Sequence, residues 1–216
     1  MKTKGLFDVI SPIMIGPSSS HTAGAIRLGL MARTIYNAPI KKVHFTLYNS
    51  FAQTGKGHGT DKGLLAGIMG CHVDDVRTKN IFAITDIDYE YSFAEDLSRH
   101  PNSVDIKIND DMTISGCSIG AGEIRITEIN GFSVNLAGQY HTILLMYKDK
   151  PGMISTVSKF IQDRNINIAS LHCDRNEKGG VASMYLALDA EPQEEIVDDI
   201  KNISDVYFVT KVRKLD

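Results

Sequence analysis

The sequence has few cysteines, no long apolar run and no block of like charges. Its three cysteines, Cys71, Cys117 and Cys173, are odd in number and lie 46 and 56 residues apart. This pattern predicts reduced thiols and not a disulfide framework. Iron–sulfur ligands usually include a closely spaced pair, and none is present here. We therefore expect small buried side chains at all three positions and no metal site in this chain.

The charge balance gives no sign of a polyanionic partner. The formal net charge is -3 over 216 residues, and 43% of the residues are hydrophobic. This composition is typical of a globular protein. The charge balance offers no basic segment that would attract nucleic acid or an anionic membrane. The lysines of the first residues are not followed by an apolar core of signal-peptide length, and no run is long enough to span a membrane. We expect a cytoplasmic protein without nucleic-acid or membrane partners.

The last part of the chain, residues 140–216, alternates regularly between strand and helix patterns. Residues 142–148 predict a strand, 153–165 a helix with Val157 and Ile161 on one face, and 166–174 and 181–189 a hairpin. A second amphipathic helix, 191–203, and a strand, 206–214, complete the order. This βαββαβ order predicts a ferredoxin-like sheet with helices on one face.

The first part, residues 1–136, predicts an α/β domain with a mixed sheet. A helix is expected over 21–36, a strand over 42–48, a short helix over 58–70 and a strand over 81–88. Residues 122–136 predict a hairpin around Asn130-Gly131, the residues that a type I′ turn requires. Residues 137–139 are the expected hinge between the two parts.

The stretch SPIMIGPSSSHTAG, residues 11–24, leads into the first predicted helix. One serine suffices as an N-cap, so Ser18, Ser19 and Ser20 leave spare hydroxyl and amide groups that can hold a carboxylate or phosphate. His21 lies in the first turn, where the helix dipole favours the neutral imidazole that can accept a proton. Spacing alone leaves two readings open: a capped helix, or an anion site with a base beside it.

A second polar cluster, residues 50–62, follows the strand over 42–48. Its glycines predict a loop that lets the backbone approach a ligand and that opens the next helix. The alternative is a flexible loop capped by Thr60 or Asp61. Ligand sites in open α/β sheets gather beyond the carboxyl ends of strands, so this loop is expected to share a pocket with the serine loop. The expected substrate-binding residues are Ser18, Ser19, Ser20, Thr22, Gly57, His58, Gly59, Thr60, Asp61 and Lys62.

Two other patterns are set aside. Gly116-Cys117-Ser118-Ile119-Gly120 matches a nucleophile elbow, but a strand and not a helix is predicted after it, so a hydrolase is excluded. The remaining histidines have no metal-ligand spacing.

Several motifs carry a resemblance to a known family: SP, GPSSSHTAG with Arg27, FAQTGKGHGTDKGLLAGIMG and SIGAGEIRITEINGF. Together they resemble the beta subunit of bacterial iron–sulfur-dependent L-serine dehydratases. Ala23 and Ala25 flank Gly24 where some relatives have other small residues or proline. The last part resembles an ACT domain, whose first strand leads into a turn like that of Asp149, Pro151 and Gly152. The resemblance covers nearly the whole chain and implies a serine-dehydratase-beta fold, like an allosteric substrate-binding domain, followed by an ACT domain.

The resemblance implies conversion of L-serine to pyruvate and ammonia, with His21 as the catalytic base. It also implies a [4Fe-4S] cluster ligated by a partner alpha subunit, so that this chain alone is expected to be inactive. ACT domains typically pair edge to edge and bind amino acids near the turn. We therefore expect self-association and an effector site at Asp149, Pro151, Gly152 and Met153, although a plain dimerisation module stays open.

Two alternatives from other classes remain. In the first, the N-terminal domain is an effector-binding module without a catalytic residue, which is the role of this fold type in another serine-pathway enzyme. In the second, the chain is a homodimeric scaffold without a ligand.

Overall fold

The computed structural model describes residues 14–215, so Ser11 and Pro12 of the predicted serine loop lie outside the described residues. The described chain divides into two compact units. The first comprises residues up to 131 together with 135–137, and the second comprises 132–134 and the residues from 138 onward. Within residues 14–215, no helix has both the length and the apolar character needed to cross a membrane.

The first unit is an α/β fold in which a single turn of π-helix, Ser19–Ala23, runs directly into the first helix. Its elements are α1 (Gly24–Tyr36), β1 (Lys42–Tyr48), α2 (Asn49–His58), α3 (Thr60–Ile68), a 3-10 turn (Val76–Asn80), α4 (Ile81–Ile84), β2 (Asp88–Ala94), β3 (Ser103–Ile108), β4 (Met112–Gly120) and β5 (Glu123–Ile129). The last strand of its sheet, β6 (Phe132–Leu136), includes residues 132–134, which are counted with the second unit.

The sheet of six strands is mixed, as predicted, and has the order β2-β1-β3-β4-β5-β6. β1 and β2 are parallel because the helical segments between them carry the chain back to the start of the sheet. β1, β3, β4 and β5 pair antiparallel in that order. Asn130 and Gly131 have φ angles of 48° and 84°, which agree with the predicted type I′ turn between β5 and β6.

Close packing of α1 against α3 fixes the elements that carry the serine loop. A Cβ atom at Gly67 would lie 2.1 Å from the carbonyl oxygen of Ile26, and one at Gly29 would lie 2.3 Å from that of Leu64. Only glycine allows the two backbones to approach this closely. The N-terminal ends of α1 and α3 are therefore held beside each other, where the serine loop and α2 meet.

Two predictions for the first unit are wrong. The strand expected over 81–88 is instead the short helix α4, and the strand β2 begins only at Asp88. Within 81–84 the buried residue is Ile81, whereas Ile84 is 48% exposed, so the apolar run does not cover one face of a sheet. The aromatic alternation that follows forms β2, in which Tyr91 stacks on Phe45 of β1 at 5.0 Å.

The prediction of a glycine-rich loop after β1 is also wrong, because residues 49–58 form helix α2. Phe51 and Gly55, four residues apart, are buried on one face of this helix. A Cβ atom at Gly55 would lie 3.3 Å from the Leu47 side chain, so the glycine lets the helix lie against β1. Tertiary packing thus outweighs the low helix propensity of the glycines.

The second unit has the predicted βαββαβ order. Its elements are β7 (His141–Lys148), α5 (Met153–Asp163), β8 (Ile168–Arg175), β9 (Val181–Leu188), α6 (Glu194–Lys201) and β10 (Val206–Val212). The strands form an antiparallel sheet of order β10-β7-β9-β8. Val157 and Ile161 of α5 pack with Ile196 and Ile200 of α6 and with inward side chains of β7 and β9 in one core.

Candidate functional site

The serine loop is a helix N-terminus in which one serine acts as the cap. Ser18 has extended backbone angles, and its Oγ accepts a hydrogen bond from the backbone N–H of His21 at 3.2 Å. Its carbonyl oxygen accepts from Thr22 N at 2.8 Å. The capping function therefore uses Ser18 alone. It leaves the hydroxyls of Ser19 and Ser20 for other contacts.

The imidazole of His21 is held between hydroxyl groups from two elements. Its Nδ1 lies 3.1 Å from Ser20 Oγ and 3.5 Å from Ser18 Oγ, both in the serine loop. Its Nε2 lies 2.9 Å from Thr54 Oγ1 and 3.4 Å from Ser50 Oγ, both in α2. The ring is thereby fixed by hydrogen-bond partners at both nitrogens.

These contacts determine the tautomer of His21. Thr54 Oγ1 also lies 2.8 Å from the carbonyl oxygen of Ser50, which can only accept, so the single hydroxyl hydrogen of Thr54 goes to that carbonyl. The Thr54 oxygen must then accept from His21, which places the imidazole hydrogen on Nε2. The Nδ1 lone pair consequently faces the serine loop, where the Ser20 hydroxyl donates to it.

The surroundings of His21 favour the neutral imidazole. Burial lowers the pKa of His21 below its usual value of 6.5, and the nearby His58 lowers it further. The Phe51 ring lies 5.3 Å and the His58 ring 5.0 Å from the His21 ring. A half-buried neutral imidazole can take up a proton near pH 7 once the Ser20 hydroxyl turns away from its Nδ1 lone pair.

The other predicted substrate-binding residues fall into two groups. His58 lies beside His21, and its carbonyl oxygen accepts a hydrogen bond from Thr22 Oγ1 at 2.7 Å. Thr22, Gly57, Gly59 and Lys62, by contrast, line a cavity of about 290 Å³. None of Ser18, Ser19, Ser20, His21 and His58 lines it. The structure thus brings the serine loop and the α2 segment together, but it distributes their side chains between two places.

Thr60 and Asp61 begin α3 and are held by the protein itself. Thr60 is fully buried, and its hydroxyl has no partner within residues 14–215. Asp61 Oδ1 accepts from the backbone N–H of Lys62 at 2.8 Å, and its carbonyl oxygen accepts from the Tyr91 hydroxyl at 2.7 Å. Burial raises the pKa of the Asp61 carboxyl, although Lys62 acts in the opposite direction.

Sequence reasoning missed the contributions of Ser50 and Thr54. Both lie within the polar cluster that the sequence indicated, but a loop prediction gives no reason to select them. Once residues 49–58 are known to be helical, their spacing of four residues puts both hydroxyls on one face. The helical spacing of Ser50 and Thr54 is therefore the sequence signal that could have identified them, and the glycines between 55 and 59 concealed it by favouring a loop.

The turn predicted to bind an effector is tied to the rest of the second unit. Asp149 Oδ2 accepts from Arg175 Nη1 and from Gly179 N, each at 3.0 Å, and these contacts lower the pKa of the Asp149 carboxyl. Gly152 is the N-cap of α5 with a φ of 93°, and Met153 is buried in the core. Pro151 is exposed. The effector role of this turn stays a prediction.

The described residues hold no metal centre of their own: no group of three or more His, Cys, Asp or Glu side chains is close enough to bind an ion. Cys71 and Cys117 are buried, as expected, but Cys173 is exposed, so the prediction for it is wrong. Cys173 lies on β8, which is an edge strand of the sheet formed by the described residues. Ser118 is buried within β4, in agreement with excluding the nucleophile elbow.

Comparison with known proteins identifies a family for each part. A family model described as "Serine dehydratase beta chain" matches residues 5–118, and one described as "AHAS small subunit-like ACT domain" matches residues 143–208. The chain is 37% identical to the probable L-serine dehydratase beta chain of Bacillus subtilis (strain 168), covering 98% of this chain and 99% of that one.

Two further relatives extend this comparison. The L-serine dehydratase beta chain of Peptoniphilus asaccharolyticus is also 37% identical, over 91% of this chain and 92% of that one. D-3-phosphoglycerate dehydrogenase of Bacillus subtilis (strain 168) is 26% identical over 85% of this chain, which corresponds to 36% of that enzyme. The family-model match and the two beta chains agree over most of the sequence. The chain therefore belongs to the serine dehydratase beta chain family and carries an ACT-like domain in its second unit.

Proposed function

We propose that this beta chain supplies the base, His21, to an L-serine dehydratase that converts L-serine to pyruvate and ammonia. The observation that carries the proposal is the placement of the His21 ring between Thr54 and Ser20, which turns the Nδ1 lone pair toward the serine loop. A base of this kind is suited to removing the α-proton of an amino acid whose carboxylate lies against the loop. Family membership supports the choice of L-serine as the substrate.

Each residue around His21 has a distinct task in this mechanism. Nδ1 accepts the α-proton, and Thr54 keeps the ring hydrogen on Nε2 so that Nδ1 stays unprotonated. The serine-loop hydroxyls and the positive end of α1 attract the substrate carboxylate. Return of that proton from His21 to the β-hydroxyl lets it depart as water and leaves an enamine, which tautomerises to an imine and is hydrolysed to pyruvate and ammonia.

The described residues of this chain do not fit a [4Fe-4S] cluster. Cys71 is fully buried, Cys117 is 6% exposed, and neither belongs to a group of metal-binding side chains. We therefore propose that the cluster is held by a partner alpha subunit and that this chain alone is inactive.

Anaerobic assembly of both subunits with a His21→Ala chain tests the role of His21. We expect turnover to fall by about 10²- to 10⁴-fold, the usual contribution of a general base. His72→Ala is the matched control, because His72 is exposed and makes no side-chain hydrogen bond within residues 14–215. Turnover near that of the wild type, in a His21→Ala chain that still binds the alpha subunit, would remove His21 as the base.

A regulatory module is the second candidate, favoured by the similarity to D-3-phosphoglycerate dehydrogenase over 85% of this chain. In this alternative the first unit binds serine as an effector without chemistry. Calorimetry on the full chain separates the two candidates. Tight serine binding without a partner favours the effector module, whereas binding that requires the alpha subunit favours a shared catalytic site.

The ACT-like unit is proposed to self-associate and to bind an amino acid at the Asp149 turn. β8 is an edge strand whose side chains are largely exposed, which supports pairing with a second copy. Analytical ultracentrifugation of the full chain with and without L-serine tests both points. A monomer at every concentration contradicts self-association, and a dimer indifferent to amino acids reduces the unit to a dimerisation module.

A further inference from the structure

The cavity of about 290 Å³ beside the serine loop is lined by three lysines, Lys56, Lys62 and Lys79. Within residues 14–215 none of their ammonium groups makes an ion pair with a carboxylate. Lys56 Nζ lies 5.8 Å from the Phe93 ring centre. Asp61 is the acidic neighbour that interacts with Lys56 and Lys62, but it does not line the cavity. The wall consequently carries an excess of positive charge.

Two further polar features lie at the wall, but the lysines dominate its charge. Thr78 lines the cavity, but its Oγ1 is closed to solvent and offers no hydrogen bond there. Helix α3 begins at Thr60, and its N-cap, Gly59, lines the cavity. The Asp61 carboxylate already accepts from the backbone N–H of Lys62 at this helix end, so the helix dipole adds little to the lysine charges.

These features select a ligand by charge. Three ammonium groups are poorly matched by a single carboxylate, and the ammonium group of an amino acid would add a fourth positive charge. A phosphate group near pH 7 carries nearly two negative charges and several strong acceptor oxygens. We infer that this lysine-lined cavity is a binding site for a phosphate group, either as inorganic phosphate or as a small phosphate monoester.

The size of the cavity agrees with such a ligand. At about 30 Å³ for each water molecule, 290 Å³ holds roughly ten waters. A phosphate with a short carbon chain fits within this volume. Gly57, which lines the cavity, has no atom within 4 Å of the position of a Cβ, so the backbone there is open to a ligand.

This site is separate from the one proposed for the dehydration reaction. Ser18, Ser20, His21, Ser50 and Thr54 form the proposed catalytic cluster, and none of them lines the cavity. The two sites share chain segments only, because residues 16 and 17 of the wall precede the Ser18 cap and residues 57 and 59 flank His58. The inference therefore stands or fails independently of the role of His21.

Calorimetric titration of the full chain at constant ionic strength tests the inference, with inorganic phosphate in one arm and glycerol 3-phosphate in the other. We expect saturable binding of at least one probe, and the tighter one identifies the source of the phosphate group. Lys79→Gln is expected to weaken binding about tenfold, as does loss of one charge-assisted hydrogen bond. Lys41→Gln is the matched control, since Lys41 is exposed and does not line the cavity.

Each other outcome overturns the inference. Absence of saturation by both probes below roughly 10 mM excludes a specific site. Equal weakening by Lys79→Gln and Lys41→Gln indicates non-specific charge attraction. Displacement of bound phosphate by L-serine shows that the cavity is part of the serine site. If Lys79→Gln proves unstable, Lys56→Gln removes another positive charge from the same wall and must also weaken binding.

Discussion

Replacing Thr54 by valine removes the hydroxyl that fixes the tautomer of His21 and keeps a side chain of similar shape. In the wild-type chain this hydroxyl donates to the Ser50 carbonyl at 2.8 Å and accepts from His21 Nε2 at 2.9 Å. Without it, the Nε2–H tautomer loses its closest acceptor. The Nδ1–H tautomer becomes competitive, because Ser20 Oγ can accept a hydrogen bond at the other side of the ring.

The size of the effect follows from the energy of one hydrogen bond. A neutral hydrogen bond stabilises a folded protein by about 0.5–1.5 kcal/mol, which corresponds to a change of about 2- to 10-fold in the tautomer ratio. We expect kcat of the assembled enzyme to fall by a similar factor with little change in KM, since substrate contacts stay in place. Thr54 also stabilises the imidazolium, so its loss lowers the pKa of His21 and moves the acidic limb of the pH profile to lower pH.

Nitrogen-15 NMR of the imidazole measures the tautomer directly in the full beta chain, without the partner. We expect mainly Nε2–H in the wild type, a mixture in Thr54→Val, and recovery in Thr54→Ser, which retains the hydroxyl. An unchanged tautomer and pH profile in Thr54→Val would refute the assignment. Equal impairment of Thr54→Ser and Thr54→Val would show that the valine acts through packing and not through the lost hydrogen bond.

Three further predictions concern stability and are read from chemical denaturation. Burial lowers the pKa of His21 in the folded chain, so the unfolded chain binds the proton more readily below about pH 6.5, and the free energy of unfolding should decrease as the pH is lowered through this range. His21→Gln should reduce this pH dependence, and an unchanged slope in that variant contradicts the prediction. Gly67→Ala should destabilise by more than about 2 kcal/mol because its Cβ would lie 2.1 Å from a carbonyl oxygen, whereas Gly57→Ala in α2 should be neutral or slightly stabilising. Ser18→Ala should cost about 1 kcal/mol through loss of the cap and Ser19→Ala nearly nothing; equal effects would mean that the cap is shared.

The second unit was predictable from its sequence because each element carries its own period. Val157 and Ile161 repeat at helical spacing, and the strands alternate or are continuously apolar, so local pattern and final packing agree. In the first unit the pattern and the packing conflict. The glycines of residues 49–58 predict a loop, but burial of Phe51 and contact of Gly55 with β1 stabilise a helix. Such long-range packing cannot be read from a local window.

The same distinction applies to the candidate site. His21 and its cap were predictable because both lie within one turn of chain, where spacing determines geometry. Thr54 was not, since its contact with His21 spans 33 residues and depends on how α2 packs. The division of the predicted residues between the His21 cluster and the lysine-lined cavity is likewise tertiary, because adjacent residues such as Gly57 and His58 differ in which place they contact.

The three consecutive serines illustrate how far such geometry narrows a functional assignment. They are equivalent in the sequence, but Ser18 is bound as the helix cap and Ser20 Oγ lies on His21 Nδ1. Ser19 makes no side-chain hydrogen bond within the described chain and is partly exposed. A carboxylate that arrives at this loop can therefore bond to Ser19 without breaking an existing contact, whereas bonding to Ser20 releases the Nδ1 lone pair. In the proposed mechanism, substrate binding and exposure of the base are then one event, because the hydroxyl that leaves His21 is the one that turns to the substrate.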